Sequence, residues 1–507
     1  MFEVAVEALA NVLQPTVILY LMIGVSVGVV IGILPGLGGV VGMSLLLPFI
    51  FGMDLTAGLA LLIGMAAVTQ TADTFTSVLL GVPGSSGSQA TVMDGYPMSQ
   101  QGRAAEALGA GFMASILGGL FGALLLFLAI FIARPIILAF QSPQLLMLTF
   151  LGLAMVGILS RGAPLAGLTA GVIGLLVGAI GAAPTTAVYR YAFGQVFLFD
   201  GIKIAILAMG LFAIPEIIDL LVAKRAISSE KLSGSMLDGV RQTFRHKWLV
   251  IRSSAIGTLI GFLPGLGGSV VDWIAYGTAA QTSKDGKFGQ GDIRGVIAPE
   301  GANNAKEGGT LIPTLLFGIP GSGTTAILLG GFILLGVEAG PRLVTDGLPT
   351  VLSIVWILAL ANVLGAAICI FLGRWVSKIT QVPAEIFAPF LLVLLSVAAY
   401  QSSRMWADIV MLYVIGLFAW VMKQIGWPRA PLLIGFVLST ATERFLWISH
   451  GIYGWSFLLK PSVIALGSLV LLTVFAGFRF KRSISDKVDA AAAAVQTSEA
   501  TDREATR

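Results

Sequence analysis

The octapeptide Gly32-Ile-Leu-Pro-Gly-Leu-Gly-Gly39 occurs twice in this chain, returning as Gly261-Phe-Leu-Pro-Gly-Leu-Gly-Gly268 with Phe262 in place of Ile33 as the sole change. Each copy closes an apolar run. Each is followed by a second Pro-Gly element, Gly81-Val-Pro-Gly-Ser-Ser86 in the first half and Gly318-Ile-Pro-Gly-Ser-Gly323 in the second. Proline has no amide hydrogen for the helix ladder and clashes with the turn before it, so each apolar run must break there. The glycines beside it permit unusual backbone angles and close approach. Paired breaks at corresponding positions of two halves constrain the chain to a two-part fold. In membrane carriers, such interruptions mark the binding site.

A membrane setting follows from composition. Of 507 residues, 56% are hydrophobic and only 11% charged, whereas soluble domains carry about 25% charged residues. The first apolar run, Thr16–Leu34, is long enough to cross a hydrocarbon layer of about 30 Å at roughly 1.5 Å per residue. Val40–Gly52 and Leu55–Val68 are short for a full span and read as broken or re-entrant helices. Such backbone is tolerated at membrane depth only where it faces protein or water. Thr69–Ser77 then reads as a polar stretch and Asp94-Gly-Tyr-Pro-Met98 as a polar loop. Further spans are expected near 108–132, 135–158, 163–183 and 203–222. In the second half they are expected near 326–337, 350–372, 386–400, 405–422, 430–448 and 461–478. The expected fold class is an all-α polytopic membrane protein of two pseudo-symmetric repeats with broken or re-entrant helices and about 12 spans. The first repeat covers 1–223 and the second 251–480. A basic cytoplasmic linker, 224–250, joins them, and 481–507 form a disordered cytoplasmic tail whose Ala, Ser, Thr and charged residues cannot build a core.

Charge sets the orientation. Lys224, Arg225, Lys231, Arg241, Arg245, Lys247 and Arg252 outweigh Glu230 and Asp238, which places this segment in the cytoplasm by the positive-inside rule. No Lys or Arg precedes Arg103, and the N-terminus carries Glu3 and Glu7 without the basic start of a cleavable signal peptide. The first Pro-Gly motif is thus approached from outside and the second from the cytoplasm, which favours inverted repeats. A parallel duplication is the alternative.

Several chemistries are excluded or disfavoured. One cysteine, Cys369, permits no internal disulfide or cysteine-based metal cluster, and two histidines, His246 and His450, permit no histidine-rich metal centre. Gly84-Ser-Ser-Gly87 matches the Gly-x-Ser-Gly of intramembrane serine proteases, but that chemistry needs a histidine partner. No phosphate-binding loop of the Gly-x-x-x-x-Gly-Lys-Ser/Thr form is present. The chain reads as neither an enzyme nor a nucleic-acid binder, and it needs no cofactor.

The breaks themselves are the candidate site. A half-helix that starts after a break presents unpaired N–H groups and a positive dipole end, which suits a carboxylate. Carbonyls at the end of the half-helix before it suit a cation. The candidate substrate-binding residues are Pro83, Gly84, Ser85, Ser86, Asn303, Asn304, Pro320, Gly321, Ser322 and Thr324. Neutral donors bind an anion reversibly, where a buried full charge is expensive. Pro35, Gly36, Gly38, Gly39, Pro264, Gly265, Gly267, Gly268 and Asp272 are expected to shape the site or bind a cation. Asp73, Glu300, Lys306 and Glu307 are further charges nearby, with Asp272 the better intramembrane candidate.

Together, Gly32–Gly39, Gly81–Ser86, Asp94–Met98, Gln101-Gly-Arg-Ala-Ala-Glu-Ala-Leu-Gly109, Ala302-Asn-Asn304 and Gly318–Gly323 resemble the large membrane subunit of the tripartite tricarboxylate transporter family. The likeness covers about residues 15–480, and Gly301 stands where the family form has Ser after Glu. The resemblance implies a multi-pass protein of the bacterial inner membrane that works with a small four-helix membrane subunit and a periplasmic solute-binding protein. It also implies uptake of a small di- or tricarboxylate driven by a Na⁺ or H⁺ gradient, without ATP. The competing readings are a gated channel for small anions and an ATP-driven permease.

Overall fold

The computed structural model describes residues 2–479, apart from positions 35, 139, 160–162, 187, 223–233, 266–267, 284 and 380–383. The expected tail, the first part of the basic linker, Pro35 and Gly267 therefore lie outside the described residues. The first half comprises α1 (Phe2–Val12), α2 (Pro15–Ile33), α3 (Gly38–Leu46), α4 (Leu55–Ala72), α5 (Thr74–Leu79), α6 (Gln89–Gln100), α7 (Ala104–Leu138), α8 (Ser142–Leu159), α9 (Pro164–Gly178), α10 (Ile204–Ala208) and α11 (Ile214–Val222). The second comprises α12 (Met236–Arg245), α13 (Lys247–Gly261), α14 (Gly268–Thr282), α15 (Arg294–Phe317), α16 (Gly323–Leu334), α17 (Pro341–Thr345), α18 (Leu348–Ile379), α19 (Ala384–Ser403), α20 (Trp406–Gln424) and α21 (Ala430–Tyr453). A last helix, α22, covers Pro461–Arg479. Among the described residues the strands are limited to one antiparallel pair, Gly181–Ala182 with Tyr189–Arg190.

Among the described residues, seven helices are long and apolar enough to cross a membrane: Pro15–Ile33, Leu55–Leu79, Ala104–Ile132, Leu348–Phe371, Trp406–Gln424, Ala430–Leu459 and Pro461–Arg479. Shorter apolar helices accompany them, including Gly38–Ile50 and Gly323–Leu334 beside the breaks. The chain is an all-α, multi-pass membrane protein.

Local chemistry explains three departures from the expected boundaries. The Thr69–Ser77 stretch does not end a short helix; α4 runs on to Ala72 and α5 to Leu79. Two of its hydroxyls bond back to their own backbone, Thr69 to Met65 O at 2.8 Å and Thr76 to Asp73 O at 2.8 Å, so they need no water. Asp94–Met98 is likewise helical, within α6. Pro135 lies inside α7, and the chain breaks after Leu138 instead of before the proline. At the other end of α4, Asp54 Oδ1 accepts from Thr56 N at 2.9 Å and Ala57 N at 3.2 Å, fixing where that helix begins.

Packing repeats between the halves. α2 lies along α4, and α13 lies along α15. The first glycine of each octapeptide makes this possible: a Cβ on Gly32 would sit 2.7 Å from Thr69 O, and one on Gly261 2.5 Å from Lys306 O. The long helices then cross over, α7 onto α15 and α18 onto α4. Their flanking helices follow, α12 on α7 and α1 on α18. α9 packs on α21, while α20 packs on the turn between α10 and α11. That turn, Met209–Ala213, is a π-helical bulge. The result is one bundle built on α1–α7 and α12–α18, and a second on α8–α11 and α19–α21. They meet where α3 touches the π bulge and α16 touches α21.

Candidate functional site

The two Pro-Gly breaks of each half are joined by one backbone hydrogen bond, in the same place both times. Gly36 N donates to Gly84 O at 3.1 Å, and Gly265 N donates to Gly321 O at 3.2 Å. Both donors have left-handed backbone, φ +86° at Gly36 and +94° at Gly265, a conformation that an L side chain resists. Counting back equally from Gly84 and Gly321 brings Asp73 and Thr310 into register. A Cβ on Gly84 would lie 2.6 Å from Asp73 Cβ, and one on Gly321 2.9 Å from Thr310 Cβ. Each second break is therefore pressed onto the helix that precedes it.

Residues from both halves converge on the start of α3. Among the described residues no side chain caps this helix, so its first N–H groups and positive dipole end lack a side-chain acceptor there. A Cβ on Gly38 would be 3.6 Å from Ser85 Cβ; one on Gly39 would be 3.5 Å from Gln70 Nε2 and 3.8 Å from Thr324 Oγ1. Gln70 Oε1 accepts from Asn303 Nδ2 at 3.2 Å, and Asn303 Oδ1 accepts from Lys306 Nζ at 3.1 Å. Lys306 also pairs with Glu307 at 3.0 Å. A Cβ on Gly87 would meet Asn303 Oδ1 at 2.5 Å, so the first half's second break leans on α15. A cavity of about 20 Å³ remains between α3, α4, α15 and α16, touched by Met43, Ala66, Glu307, Thr324 and Thr325. That volume is about the size of one water.

The other expected site residues fall into different roles. Ser322 caps α16: its hydroxyl accepts from Thr325 N at 3.2 Å while Thr325 Oγ1 accepts from Ser322 N at 2.9 Å. Asn304 ties three helices together, donating to Thr71 Oγ1 and to Asn362 Oδ1, each at 2.8 Å. Ser86 is exposed and Pro83 half-buried, whereas Pro264 and Pro320 are buried and Gly268 opens α14. Asp272 is fully buried and accepts from Ala90 N at 3.0 Å and Trp273 N at 2.8 Å. It thereby caps α6 from the opposite half.

Two buried acids that the sequence marked only as charges nearby, ranked below Asp272, enter the site. Glu300 accepts from Thr74 at 2.9 Å, Thr91 at 2.7 Å and Ser115 at 3.4 Å, so its carboxylate is fully hydrogen-bonded. Asp73 takes a short hydrogen bond from Ser85 Oγ to Oδ2. The signal was one acid inside the hydroxyl run Thr69-Gln-Thr-Ala-Asp-Thr-Phe-Thr-Ser77.

Charged groups also flank the breaks. Lys423 bridges Glu216 and Asp219, each at 2.5 Å, and Arg429 pairs with Glu216 at 3.0 Å. Arg429 donates to Leu211 O of the π bulge at 3.0 Å as well. A Cβ on Gly36 would lie 3.9 Å from Glu216 Oε2, so this network abuts the first break. At the end of α7 remote from the basic segment lies a cavity of about 960 Å³. Its wall reaches Gly318, where the second Pro-Gly-Ser break begins, and includes Gln141, Arg342, Arg444 and Tyr453. At the basic end, burial and then the Arg294 guanidinium hold the His246 imidazole below its usual range.

Residues 18–434 match the family described as the tripartite tricarboxylate transporter TctA family. The chain belongs to this family. It is 32% identical over 489 residues to an uncharacterized 52.8 kDa protein in the TAR-I ttuC' 3' region of Agrobacterium vitis, covering 94% of this chain and 96% of that one. An uncharacterized protein in the TAR-II ttuC' 3' region of the same organism is 32% identical over 236 residues, 45% of this chain and 97% of that one. No solved structure matches. Family membership makes the chain a component of a tripartite tricarboxylate transporter, not an enzyme.

Proposed function

We propose that this chain is the carrier subunit of a tripartite system that imports a small di- or tricarboxylate across the bacterial inner membrane. A periplasmic solute-binding protein delivers the substrate, a small four-helix membrane subunit accompanies the carrier, and a Na⁺ or H⁺ gradient drives accumulation without ATP. Residues 1–223 and 251–480 act as inverted repeats joined by a cytoplasmic linker, 224–250. The observation that carries this reading is the convergence on α3: an uncapped helix start, ringed by Ser85, Gln70 and Thr324 from both halves. Such a helix start attracts a carboxylate without a fixed full charge. The repeated Gly36–Gly84 and Gly265–Gly321 bonds support the two-repeat reading.

The volumes support a carrier over a static pore. Small-molecule sites commonly occupy about 300–1,000 Å³, whereas the cavity at α3 measures about 20 Å³. A tricarboxylate fits there only when α3 and α16 move from α4 and α15. The cavity of about 960 Å³ at Gly318, with Arg342 and Arg444 in its wall, suits an anion approaching from the periplasmic side.

Uptake of labelled di- and tricarboxylates into proteoliposomes tests the proposal, using this chain with its small partner, with and without binding protein, under imposed ion gradients. Saturable, gradient-dependent accumulation is expected, and Asn303→Ala or Thr324→Ala should raise KM while leaving insertion intact. Dissipation of the gradient without accumulation would instead identify a channel.

A further inference from the structure

We propose that Asp73 is the proton-carrying group that couples the ion gradient to substrate; this inference rests on the carrier reading above. Asp73 sits at the α4–α5 junction, fully buried. One carboxylate oxygen takes the Ser85 hydroxyl, and the other, Oδ1, has no hydrogen-bond partner among the described residues. A buried carboxylate with a bare oxygen is unstable as an anion. Binding a proton on Oδ1 removes the charge and needs no added space.

The surroundings leave Asp73 without a dedicated counter-charge. α15 brings Glu300 and Lys306 towards it. Glu300 is held by three hydroxyls, and Lys306 is engaged by Glu307 and Asn303. Asp272 on α14 faces α6. α2 and α3 contribute no acidic or basic side chain, and the acids of α6 and α7, Asp94 and Glu106, bond elsewhere.

Ser85 links this acid to the substrate site. The same hydroxyl that donates to Asp73 accepts from Gly87 N at 3.1 Å, and Ser85 Cβ lies beside Gly38 at the start of α3. An ionised Asp73 puts a negative charge beside the place where a carboxylate must bind; a protonated one does not. The proton therefore comes from water on the outer side, joins Oδ1 as substrate binds, and returns to water on the inner side as substrate leaves. Linkage makes the effect reciprocal: substrate favours the protonated acid as much as the proton favours substrate.

The test uses the reconstituted complex and, as probe, whichever of labelled succinate, tartrate or citrate the wild type exchanges. Asp73→Asn imitates the protonated acid. Accumulation driven by an imposed pH gradient should fall at least about tenfold, while exchange of labelled for unlabelled substrate persists and loses its pH dependence. Ser85→Ala, which removes the hydrogen bond but keeps the acid, should shift the pH profile of uptake. Wild-type accumulation in Asp73→Asn overturns the proposal. So does wild-type uptake that follows a Na⁺ gradient and ignores pH, or loss of exchange in Asp73→Asn combined with an unshifted profile in Ser85→Ala. Absence of gradient response and exchange in the wild type instead refutes the carrier reading itself.

Discussion

Gly36 and Gly265 occupy the same position of the repeated octapeptide, share a left-handed φ and donate the same backbone hydrogen bond, yet alanine should affect them unequally. At Gly36 an added Cβ meets little, with Glu216 Oε2 the nearest atom at 3.9 Å. The cost is then the backbone strain of a left-handed L-residue, about 1–2 kcal/mol. At Gly265 the same Cβ would lie 2.5 Å from Val156 Cα and 2.9 Å from Met155 O, both in the backbone of α8. Backbone cannot rotate aside, so α8 must move by about 1 Å, and overpacking of this kind adds roughly 1–3 kcal/mol. Gly36→Ala should therefore lose about 1–2 kcal/mol and Gly265→Ala about 2–5 kcal/mol. Denaturant unfolding in mixed micelles measures the difference, and uptake assays report whether displacement of α8 also slows transport. Equal losses in the two variants, or a near-wild-type Gly265→Ala, would refute the reasoning. The claim that the second octapeptide is wedged against α8 would fall with it.

Two further outcomes are expected. Asp272→Ala should lower stability by about 1–2 kcal/mol, the usual loss of a helix cap, whereas Asp272→Asn keeps an acceptor for Ala90 N and should retain gradient-driven uptake; abolished uptake in Asp272→Asn, measured beside Asp73→Asn, would make Asp272 the coupling group instead. His246 has a folded pKa depressed below 6.5, first by burial and then by Arg294, so its contribution to stability is complete above that pH and is lost as the pH falls. Replacing it by Gln should flatten the decline in thermal stability between about pH 7 and 5, and an unchanged decline would place the acid-sensitive group elsewhere.

The sequence reading located the breaks well because Pro and Gly act locally. Pro264 ends α13 and Ser322 starts α16 for reasons contained within a few residues. It was weaker on polar runs. Thr69–Ser77 looked like an interruption, yet it is helical and buried. Its polar groups find partners far away in the chain, as with Thr74 on Glu300, and no local pattern records such pairing. The same limit left Asp73 as one nearby charge among several, since its setting depends on Ser85 folding back over it and on no described residue donating to Oδ1. Among the candidates named from the sequence, Ser322 and Asn304 illustrate the converse. Their chemistry suits a ligand, and the hydrogen bonds they make in this structure brace the helices, while Asn304 Oδ1 has no partner among the described residues.

On the proposed two-repeat reading, the halves match in backbone and differ in chemistry. Counting back from Gly84 and Gly321 aligns Ala66 with Asn303, Ala67 with Asn304, Thr69 with Lys306, Gln70 with Glu307 and Asp73 with Thr310. The second half has amides and an ion pair where the first has alanines and neutral polar groups, and the first half alone keeps an acid against its second break. A fully symmetric pair would present two equivalent anion sites and two equivalent cation sites, and nothing would oblige substrate and proton to move together. Asymmetry removes that degeneracy. Asn303 and Lys306 from one half complete the surroundings of α3 from the other, while Asp73 approaches the same place from behind Ser85. On the proposed coupling, one α3 start and one Asp73, sharing a single serine, give the site one anion position and one proton position whose occupancies are tied.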